Sequence, residues 1–186
     1  MSVRAMRRAV SEADKDLRRE EILAAAARVF ADNGFHATTI ADIAKAARLS
    51  YGSVYWYFDS KEALFQVITE RQEQALWAHV ATAVDGAADP AATLTRAVRA
   101  TFEFFAADPA AARLLSLERF TRDIEGLVAD AQHRGEVVQA PPGIVAFSVA
   151  TLIGALATRL ASDDDVDPAT AADVVVTLLL DGLRPR

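Results

Sequence analysis

Three Asp–Pro pairs constrain the fold of this chain more than any other feature. They are Asp89-Pro90, Asp108-Pro109 and Asp167-Pro168, and an alanine-rich segment follows each of them. An aspartate accepts hydrogen bonds from the free amides of a first helical turn, and proline at the next position has no N–H to leave unpaired. Forty alanines, against eight glycines and six prolines, supply strong helix formers throughout the chain. The pattern predicts an all-α fold.

Apolar residues recurring at helical spacing place the long helices. They predict helices over about 17–33, 61–85, 90–107, 109–120, 122–134, 142–161 and 168–182. Gly34, Gly86, Gly135 and Gly182 stand where these runs stop, as is typical of C-terminal caps. No alternating pattern long enough for a β-strand occurs between them.

The residue inventory argues against an enzyme or a metalloprotein. There is no cysteine, which excludes a disulfide scaffold, a thiolate metal site and a cysteine nucleophile. The three histidines, His36, His79 and His133, lack the spacing of metal ligands. There is no glycine-rich phosphate loop. We therefore expect no catalytic site, no metal and no cofactor.

Hydropathy favours a cytoplasmic protein without a membrane span. The basic N-terminus has no apolar stretch after it, so it does not predict a secretory signal. The longest uncharged stretch, 137–158, is interrupted by Pro141-Pro142-Gly143. The fifteen residues that remain, 144–158, suit a core or interface helix better than a bilayer span.

Residues 38–58 predict two short helices joined by a tight turn. Thr39 can cap the first, with Asp42 at the third position completing a capping box, and Ser50 can cap a second helix from Tyr51 to about Phe58. The pattern breaks at Arg48-Leu49 between them. Two short helices joined in this way form a helix-turn-helix.

The second of these helices carries more rings and hydroxyls than it can bury. For Tyr51, Ser53 and Trp56 we favour exposure for contact with a partner, whereas for Tyr55 and Phe58 core packing is the preferred interpretation. Gly52 lies inside the helix, where glycine costs about 1 kcal/mol relative to alanine. Close approach of the backbone to a partner would account for that cost.

These residues resemble the signature of the TetR family of bacterial transcriptional repressors. The similarity covers about residues 16–76, and Leu178–Leu183 resembles the close of many family members. Arg48 departs from the pattern, because the family usually has glycine in the turn. The residues that carry the resemblance are Ile22, Leu23, Ala25, Ala26, Phe30, Gly34, Phe35, Thr39, Ile43, Ala44, Ala47, Leu49, Ser50, Gly52, Tyr55, Tyr57, Phe58, Lys61 and Leu64.

The resemblance implies a role for each matching position on double-stranded operator DNA. Thr39, Tyr57 and Lys61 would contact phosphates, and Arg48 would project its charge towards the DNA backbone. Tyr51, Gly52, Ser53 and Trp56 would face the major groove, with Lys45 near its edge. The candidate DNA-binding residues are Thr39, Lys45, Arg48, Ser50, Tyr51, Gly52, Ser53, Tyr55, Trp56, Tyr57 and Lys61.

The resemblance also implies a domain organisation. We expect a flexible basic arm over 1–15, a three-helix DNA-binding domain of helix-turn-helix type over 16–76, and a larger helical domain for ligand binding and dimerisation over 77–186. Whether the arm reaches the minor groove or is a solvated tail stays open.

In this family the middle helices surround an inducer pocket, which suits a hydrophobic or aromatic small molecule. For each candidate residue, plain core packing is the alternative interpretation. The candidate pocket residues are Trp77, Phe102, Phe105, Leu115, Arg119, Phe120 and Phe147.

The last two helices carry apolar stripes, and small residues recur every four positions from Ala146 to Thr158. They indicate either ordinary core or the four-helix interface of a homodimer, which the resemblance implies and which we favour because a palindromic operator is read by a dimer. The candidate interface residues are Val145, Val149, Leu152, Gly154, Leu156, Val175, Leu178 and Leu179.

Charge is distributed unevenly along the chain. Residues 1–61 hold ten Lys and Arg against eight Asp and Glu, net +2, and residues 62–186 hold ten against eighteen, net −8, which gives the overall −6. This balance excludes a general nucleic-acid coat but permits a specific operator reader. The sequence thus predicts a ligand-responsive dimeric repressor; the alternative is a helical small-molecule-binding protein on the same fold without a gene-regulatory role.

Overall fold

A computed structural model describes residues 3–162 and 167–183. Within these ranges the chain forms nine helices and no strand, which confirms the all-α class. The helices are α1 (Val3–Ala37), α2 (Ile40–Ala46), α3 (Tyr51–Tyr57), α4 (Lys61–Val84), α5 (Pro90–Ala107), α6 (Pro109–Leu114), α7 (Leu117–His133), α8 (Pro142–Leu160) and α9 (Pro168–Gly182).

The Asp–Pro pairs begin helices as predicted. Asp89 accepts a hydrogen bond from the Ala92 amide at 2.8 Å, and Asp108 and Asp167 cap α6 and α9 in the same manner. At the other ends, Gly86 and Gly135 have φ of 64° and 71°, the left-handed region that glycine adopts without strain. Gly34, with φ of 77°, lies inside α1, where it kinks the helix three residues before its end. Gly182 instead lies inside α9 as its last residue, and Leu183 is the cap.

The helices between Pro109 and His133 divide earlier than the sequence predicts. We expected a break near 121, but α6 ends at Leu114 and α7 begins at Leu117. Ser116 explains the position, because its hydroxyl accepts a hydrogen bond from the Arg119 amide and so caps α7.

Helix α1 includes residues 3–15, which we expected to form a flexible arm; Met1 and Ser2 lie outside the described residues. Two ion pairs at (i, i+3) spacing support the helix between residues 12 and 21, Lys15 with Glu12 at 3.0 Å and Arg18 with Glu21 at 2.6 Å. The alternation of acidic and basic residues therefore supports helix here.

The chain divides into two compact units, residues 1–70 and 71–186. The boundary lies within α4 and six residues before the predicted one at 76. Leu76 shows why, because it is buried in the core of the second unit. Gln72 and Glu73 also contact Asp108 and Arg119 of that unit.

The first unit packs α2 and α3 around a small aromatic and aliphatic core. Phe30, Ile43 and Val54 are fully buried, and the Phe30 ring meets Phe65 edge-on with centroids 5.0 Å apart. Arg48 lies in the turn between α2 and α3 with φ 57°, the left-handed conformation expected there.

The second unit packs α7 against α8 and α5 against α9. Ala146, Ala150 and Ala157 of α8 are fully buried, so the small residues of this helix serve packing within the chain. Among the described helices, α8 is the one that is long and apolar enough to cross a membrane. Its buried face identifies it in this fold as a core helix.

The capping box at the start of α2 predicts a pH dependence of stability. The Thr39 hydroxyl donates to Asp42 at 2.6 Å and the Thr39 amide donates at 2.9 Å, and these bonds hold the pKa of Asp42 below its usual range. A carboxylate whose pKa is lower in the folded than in the unfolded state stabilises the fold above its unfolded pKa, about 3.9, and this stabilisation is lost as the pH falls through the folded value.

We therefore expect the Asp42→Asn variant to lose less stability than the wild type on acidification below about pH 4. Urea denaturation followed by circular dichroism at several pH values measures this difference. Asp32→Asn, the same charge change on the exposed surface of α1, is the control. Equal acid sensitivity of the wild type and Asp42→Asn would contradict the prediction.

Candidate nucleic-acid interface and ligand cavity

Helix α3 presents an aromatic surface to solvent. Tyr51 and Trp56 are 56% and 64% exposed, as expected for contact residues. Tyr55, for which core packing was preferred, is 41% exposed, and its hydroxyl lies 3.3 Å from that of Tyr51. A seven-residue helix buries one face only, and Val54 and the following Phe58 occupy it.

Ser50 and Ser53 fix the start of α3. The Ser50 side chain accepts a hydrogen bond from the Ser53 amide at 3.2 Å, and the two hydroxyl oxygens are 2.7 Å apart. Gly52 between them is exposed, and a Cβ atom added there would meet nothing within 4 Å. Packing inside the chain therefore does not require a glycine at this position. Tyr57 is half-buried, with its ring edge-on to Trp56 at 4.7 Å.

Two further candidate residues, Thr39 and Lys45, are exposed on α2 and its cap. The Thr39 hydroxyl is already engaged with Asp42, so its contribution to a phosphate site would combine with its capping role. Arg48 is exposed in the turn, where a left-handed backbone costs a residue with a Cβ about 1–2 kcal/mol.

Lys61 makes contacts inside the chain that the sequence did not predict. Its ammonium donates hydrogen bonds to the backbone oxygens of Phe35 at 2.8 Å and Thr38 at 2.9 Å, and lies 4.3 Å from the Phe35 ring centroid. Its charge stabilises the corner between α1 and α2, because Thr38 is buried and its carbonyl needs a donor. The phosphate contact expected of Lys61 stays a prediction.

Two basic residues of α1 approach the helix-turn-helix, and the sequence prediction missed them as contacts of it. The Lys15 ammonium lies 5.6 Å from the Trp56 ring, and the Arg19 guanidinium lies 5.0 Å from the Phe58 ring. Both distances fall in the cation–π range. Their spacing of four residues puts them on one helical face, a signal that was available in the sequence.

The second unit contains a cavity of about 770 Å³ that is partly open to solvent. Apolar side chains of α4, α5, α7, α8 and α9 form most of its wall, and Trp77 and Phe120, both predicted pocket residues, line it with their rings stacked 5.8 Å apart. The lining also includes Asp89, Thr93, Thr101, Arg134 and Glu136, none of which the sequence prediction singled out.

The other predicted pocket residues lie elsewhere. Phe102 and Phe105 are buried in the core, where large rings fill space rather than enclose it. Leu115 and Arg119 do not line the cavity, and Arg119 pairs with Glu73. Phe147 is 55% exposed on the outer face of α8.

A polar network fixes the wall at Trp77. Its indole N–H donates to the Asp123 carboxylate at 2.7 Å, and Asp123 is in turn hydrogen-bonded to Glu73, the partner of Arg119. Burial raises the pKa of Glu73, and the neighbouring Arg119 opposes this shift. Trp77 is therefore held in one orientation at the cavity wall.

Of the eight predicted dimer-interface residues, Leu178 is exposed, and the other seven are buried or half-buried within their own chain. Val175 and Leu179 are buried in the core of their own chain, and Val149 and Leu179 line the cavity. The half-buried Val145, Leu152, Gly154 and Leu156 face inward too, and an added Cβ at Gly154 would lie 3.8 Å from Leu115. The exposed apolar side chains are Ile144 and Phe147 of α8 with Val174 and Leu178 of α9.

The described residues contain no group of three or more histidines and carboxylates that could hold a metal ion.

The contacts of Lys61 predict a stability defect. We expect Lys61→Met to lower the free energy of unfolding by about 1–3 kcal/mol, because two carbonyl groups lose a charged donor. Urea denaturation measures the loss. Lys45→Met removes the same charge from an exposed site and is expected to change the stability by less than about 0.5 kcal/mol. Equal stabilities of the two variants would contradict the corner-stabilising role.

Comparisons with known proteins agree with this geometry. Residues 22–68, which span the end of α1 to the first turns of α4, match the family model described as bacterial regulatory proteins, tetR family. The transcriptional repressor KstR2 of Rhodococcus jostii is 36% identical over 115 residues, which make up 58% of this chain and 56% of that protein. The chain thus matches about half the length of this relative.

Two solved structures share the fold over nearly the whole chain. FadR of Bacillus subtilis in complex with stearoyl-CoA has a TM-score of 0.69 at 22% identity, covering 88% of this chain and 98% of that one. AibR in complex with isovaleryl coenzyme A and operator DNA has a TM-score of 0.68 at 20% identity, covering 87% and 97%. The chain therefore carries, over residues 22–68, a segment that matches the tetR family model, and it shares its fold with these two structures over nearly its whole length.

Proposed function

We propose that this chain is a cytoplasmic transcriptional regulator, acting as a repressor that leaves its operator when a hydrophobic or aromatic small molecule enters the cavity. The observation that carries this proposal is the exposed surface of α3, where Tyr51 and Trp56 are more than half exposed, together with the exposed Arg48 and Lys45 of the turn and helix before it. The name of the relative KstR2, a transcriptional repressor, supports it. No catalytic role is proposed.

Recognition of DNA divides between backbone contacts and groove contacts. Arg48, Lys45 and Thr39 supply charge and hydroxyl groups for phosphates, and Lys15 of α1 adds a cation beside Trp56. Tyr51, Ser53 and Trp56 supply hydroxyls and apolar ring edges to the major groove, and Gly52 lets the backbone approach it. Because no Arg, Asn or Gln lies on α3, base reading by bidentate side chains is not available to this helix.

A homodimer on a palindromic operator fits the exposed apolar side chains of the second unit. Ile144, Phe147, Val174 and Leu178 are each more than half exposed. Exposed apolar clusters of this kind mark interaction surfaces. Two-fold pairing of α8 and α9 would cover them and would give each operator half-site one α3 helix.

The cavity is proposed as the effector site. FadR and AibR bind acyl-coenzyme A molecules, whose acyl parts are apolar, and the mostly apolar wall here suits a ligand part of the same character. Ligand binding can shift a regulator only if the ligand has a different affinity for its two conformations. Helix α4 belongs to both units, so a ligand touching Trp77 and Val80 contacts an element shared with the DNA-binding unit.

A mobility-shift assay with the DNA upstream of the coding sequence tests the proposal. We expect a saturable complex that survives competitor DNA. If the protein instead binds hydrophobic ligands but no DNA specifically at any salt concentration, the alternative of a small-molecule-binding protein holds and the regulatory proposal is wrong.

The left-handed turn residue gives a sharper test of DNA contact. Arg48→Gly relieves the strained backbone and is expected to stabilise the fold by about 1 kcal/mol. It also removes one phosphate contact, so DNA affinity falls and the slope of log K against log salt decreases by about one unit. Stability and affinity therefore change in opposite directions.

Arg48→Ala is the matched control, because it removes the charge but keeps the strain. We expect it to weaken DNA binding as Arg48→Gly does without the gain in stability. Unfolding curves and salt titrations of binding measure both effects. An unchanged salt slope in the two variants would show that Arg48 does not contact phosphate.

The proposed dimer predicts the effect of a charge on α8. Phe147→Glu places a carboxylate in the pairing surface, and we expect monomers by light scattering because burying an unpaired charge is costly. Leu117→Glu, at an exposed apolar residue of α7, is the control and is expected to leave the dimer intact. A dimeric Phe147→Glu variant would contradict pairing through this face.

A further inference from the structure

An ion pair stands at the charged end of the cavity. The Arg134 guanidinium donates from Nε and Nη2 to the two carboxylate oxygens of Glu136, at 2.8 and 3.0 Å. Both residues line the cavity. This is the fork-to-fork geometry in which an arginine binds a carboxylate most specifically. Glu136 therefore occupies one bidentate edge of the guanidinium and neutralises its charge.

The end of α7 builds this pair. Gly135, with φ of 71°, reverses the chain so that its own amide bonds to Gln132 O at 3.0 Å and the Glu136 amide bonds to Ala131 O at 2.9 Å. These two backbone hydrogen bonds together form a Schellman motif. It holds Arg134 and Glu136 two residues apart on one side of the turn. The helix cap thus fixes the backbone of both residues, and this preorganises the ion pair.

Helix directions show that the cavity has two unlike ends. Glu73 contacts Arg119 and Trp77 contacts Asp123, so α4 and α7 run parallel. The ring pair of Trp77 and Phe120 therefore lies at one end of the α7 wall and the Arg134 cap at the other. From Phe120 to Ala131 the wall is about 16 Å long, at about 1.5 Å for each helical residue.

The charged end carries a net negative charge. Arg134 is the one basic residue among the described residues that line the cavity, and Asp89 and Glu136 are the acidic ones. Glu136 neutralises Arg134, whereas Asp89 retains its charge while it accepts the Ala92 amide as the cap of α5. Asp89 lies at the same end, because α5 begins only a few residues after α4 ends.

We propose that Glu136 sets the charge class of the ligand: by occupying Arg134 it makes the cavity select elongated apolar molecules with an uncharged polar end, such as esters or alcohols, over the corresponding free carboxylates. This inference rests on the proposed ligand-binding role of the cavity and specifies its chemistry. A carboxylate at this end would meet an arginine whose charge Glu136 already neutralises, and it would lie near two acidic side chains, Asp89 and Glu136. An ester places only a neutral dipole there and leaves the ion pair intact.

The test compares decanoate with methyl decanoate, which share an acyl chain and differ in the charge of one end. Isothermal titration calorimetry on the full chain is expected to show tighter binding of the ester by the wild type. In Glu136→Gln, Arg134 is released, and decanoate is expected to gain roughly tenfold in affinity through a charge-assisted bidentate contact, with the ester unchanged.

The double variant Arg134→Gln/Glu136→Gln is the matched control and is expected to lose that gain. Ala97→Phe, which fills the cavity, is expected to weaken both probes and so locates them. A wild type that prefers decanoate, or a Glu136→Gln variant without the gain, would overturn the inference while leaving the ligand role in place. If neither probe binds any variant, the ligand role fails and the inference with it.

Discussion

The first unit, which carries the helix-turn-helix, depends on one charged contact with two backbone carbonyl groups. The ammonium of Lys61, the first residue of α4, donates hydrogen bonds to the Phe35 and Thr38 carbonyl oxygens. This one group therefore links the end of α1, the start of α2 and the start of α4. The Thr38 hydroxyl adds a bond to Gly34 O at 2.8 Å in the same corner. The aromatic surface of α3 can be presented consistently only if this corner is fixed. Lys61, whose phosphate contact stays a prediction, thus also positions the elements that carry the other candidate contact residues.

The features that the sequence predicts well are those determined within three or four residues. The caps at Asp89, Asp108 and Asp167, the Thr39–Asp42 box and the left-handed Arg48 all follow from local hydrogen bonding and sterics. Which face of a helix turns inward depends on its neighbours. Phe147 and Val149 lie two positions apart on α8, and periodicity alone does not distinguish the exposed ring from the cavity-lining side chain.

The cavity shows the same division between local and tertiary information. Aromatic content drew attention to Phe102 and Phe105, yet fully buried rings fill a core and do not enclose a space. The polar end is instead made by residues that terminate helices, Asp89 at the start of α5 and Arg134 at the end of α7. At a helix terminus a polar side chain caps free backbone groups, and it can therefore lie beside an apolar wall. Capping motifs near predicted pockets are therefore a sequence signal for the charge of a ligand site.

Helix α4 runs from Lys61 to Val84 without a loop, although the two compact units meet at residues 70 and 71 within it. Each unit buries its own part of this helix, Leu64 and Ile68 before the boundary and Leu76 and Val80 after it. A fragment cut between residues 70 and 71 would therefore end inside a helix, with the backbone groups of its last turn left without helical partners. A chimeric protein built from either unit must consequently supply helix-forming residues at the cut.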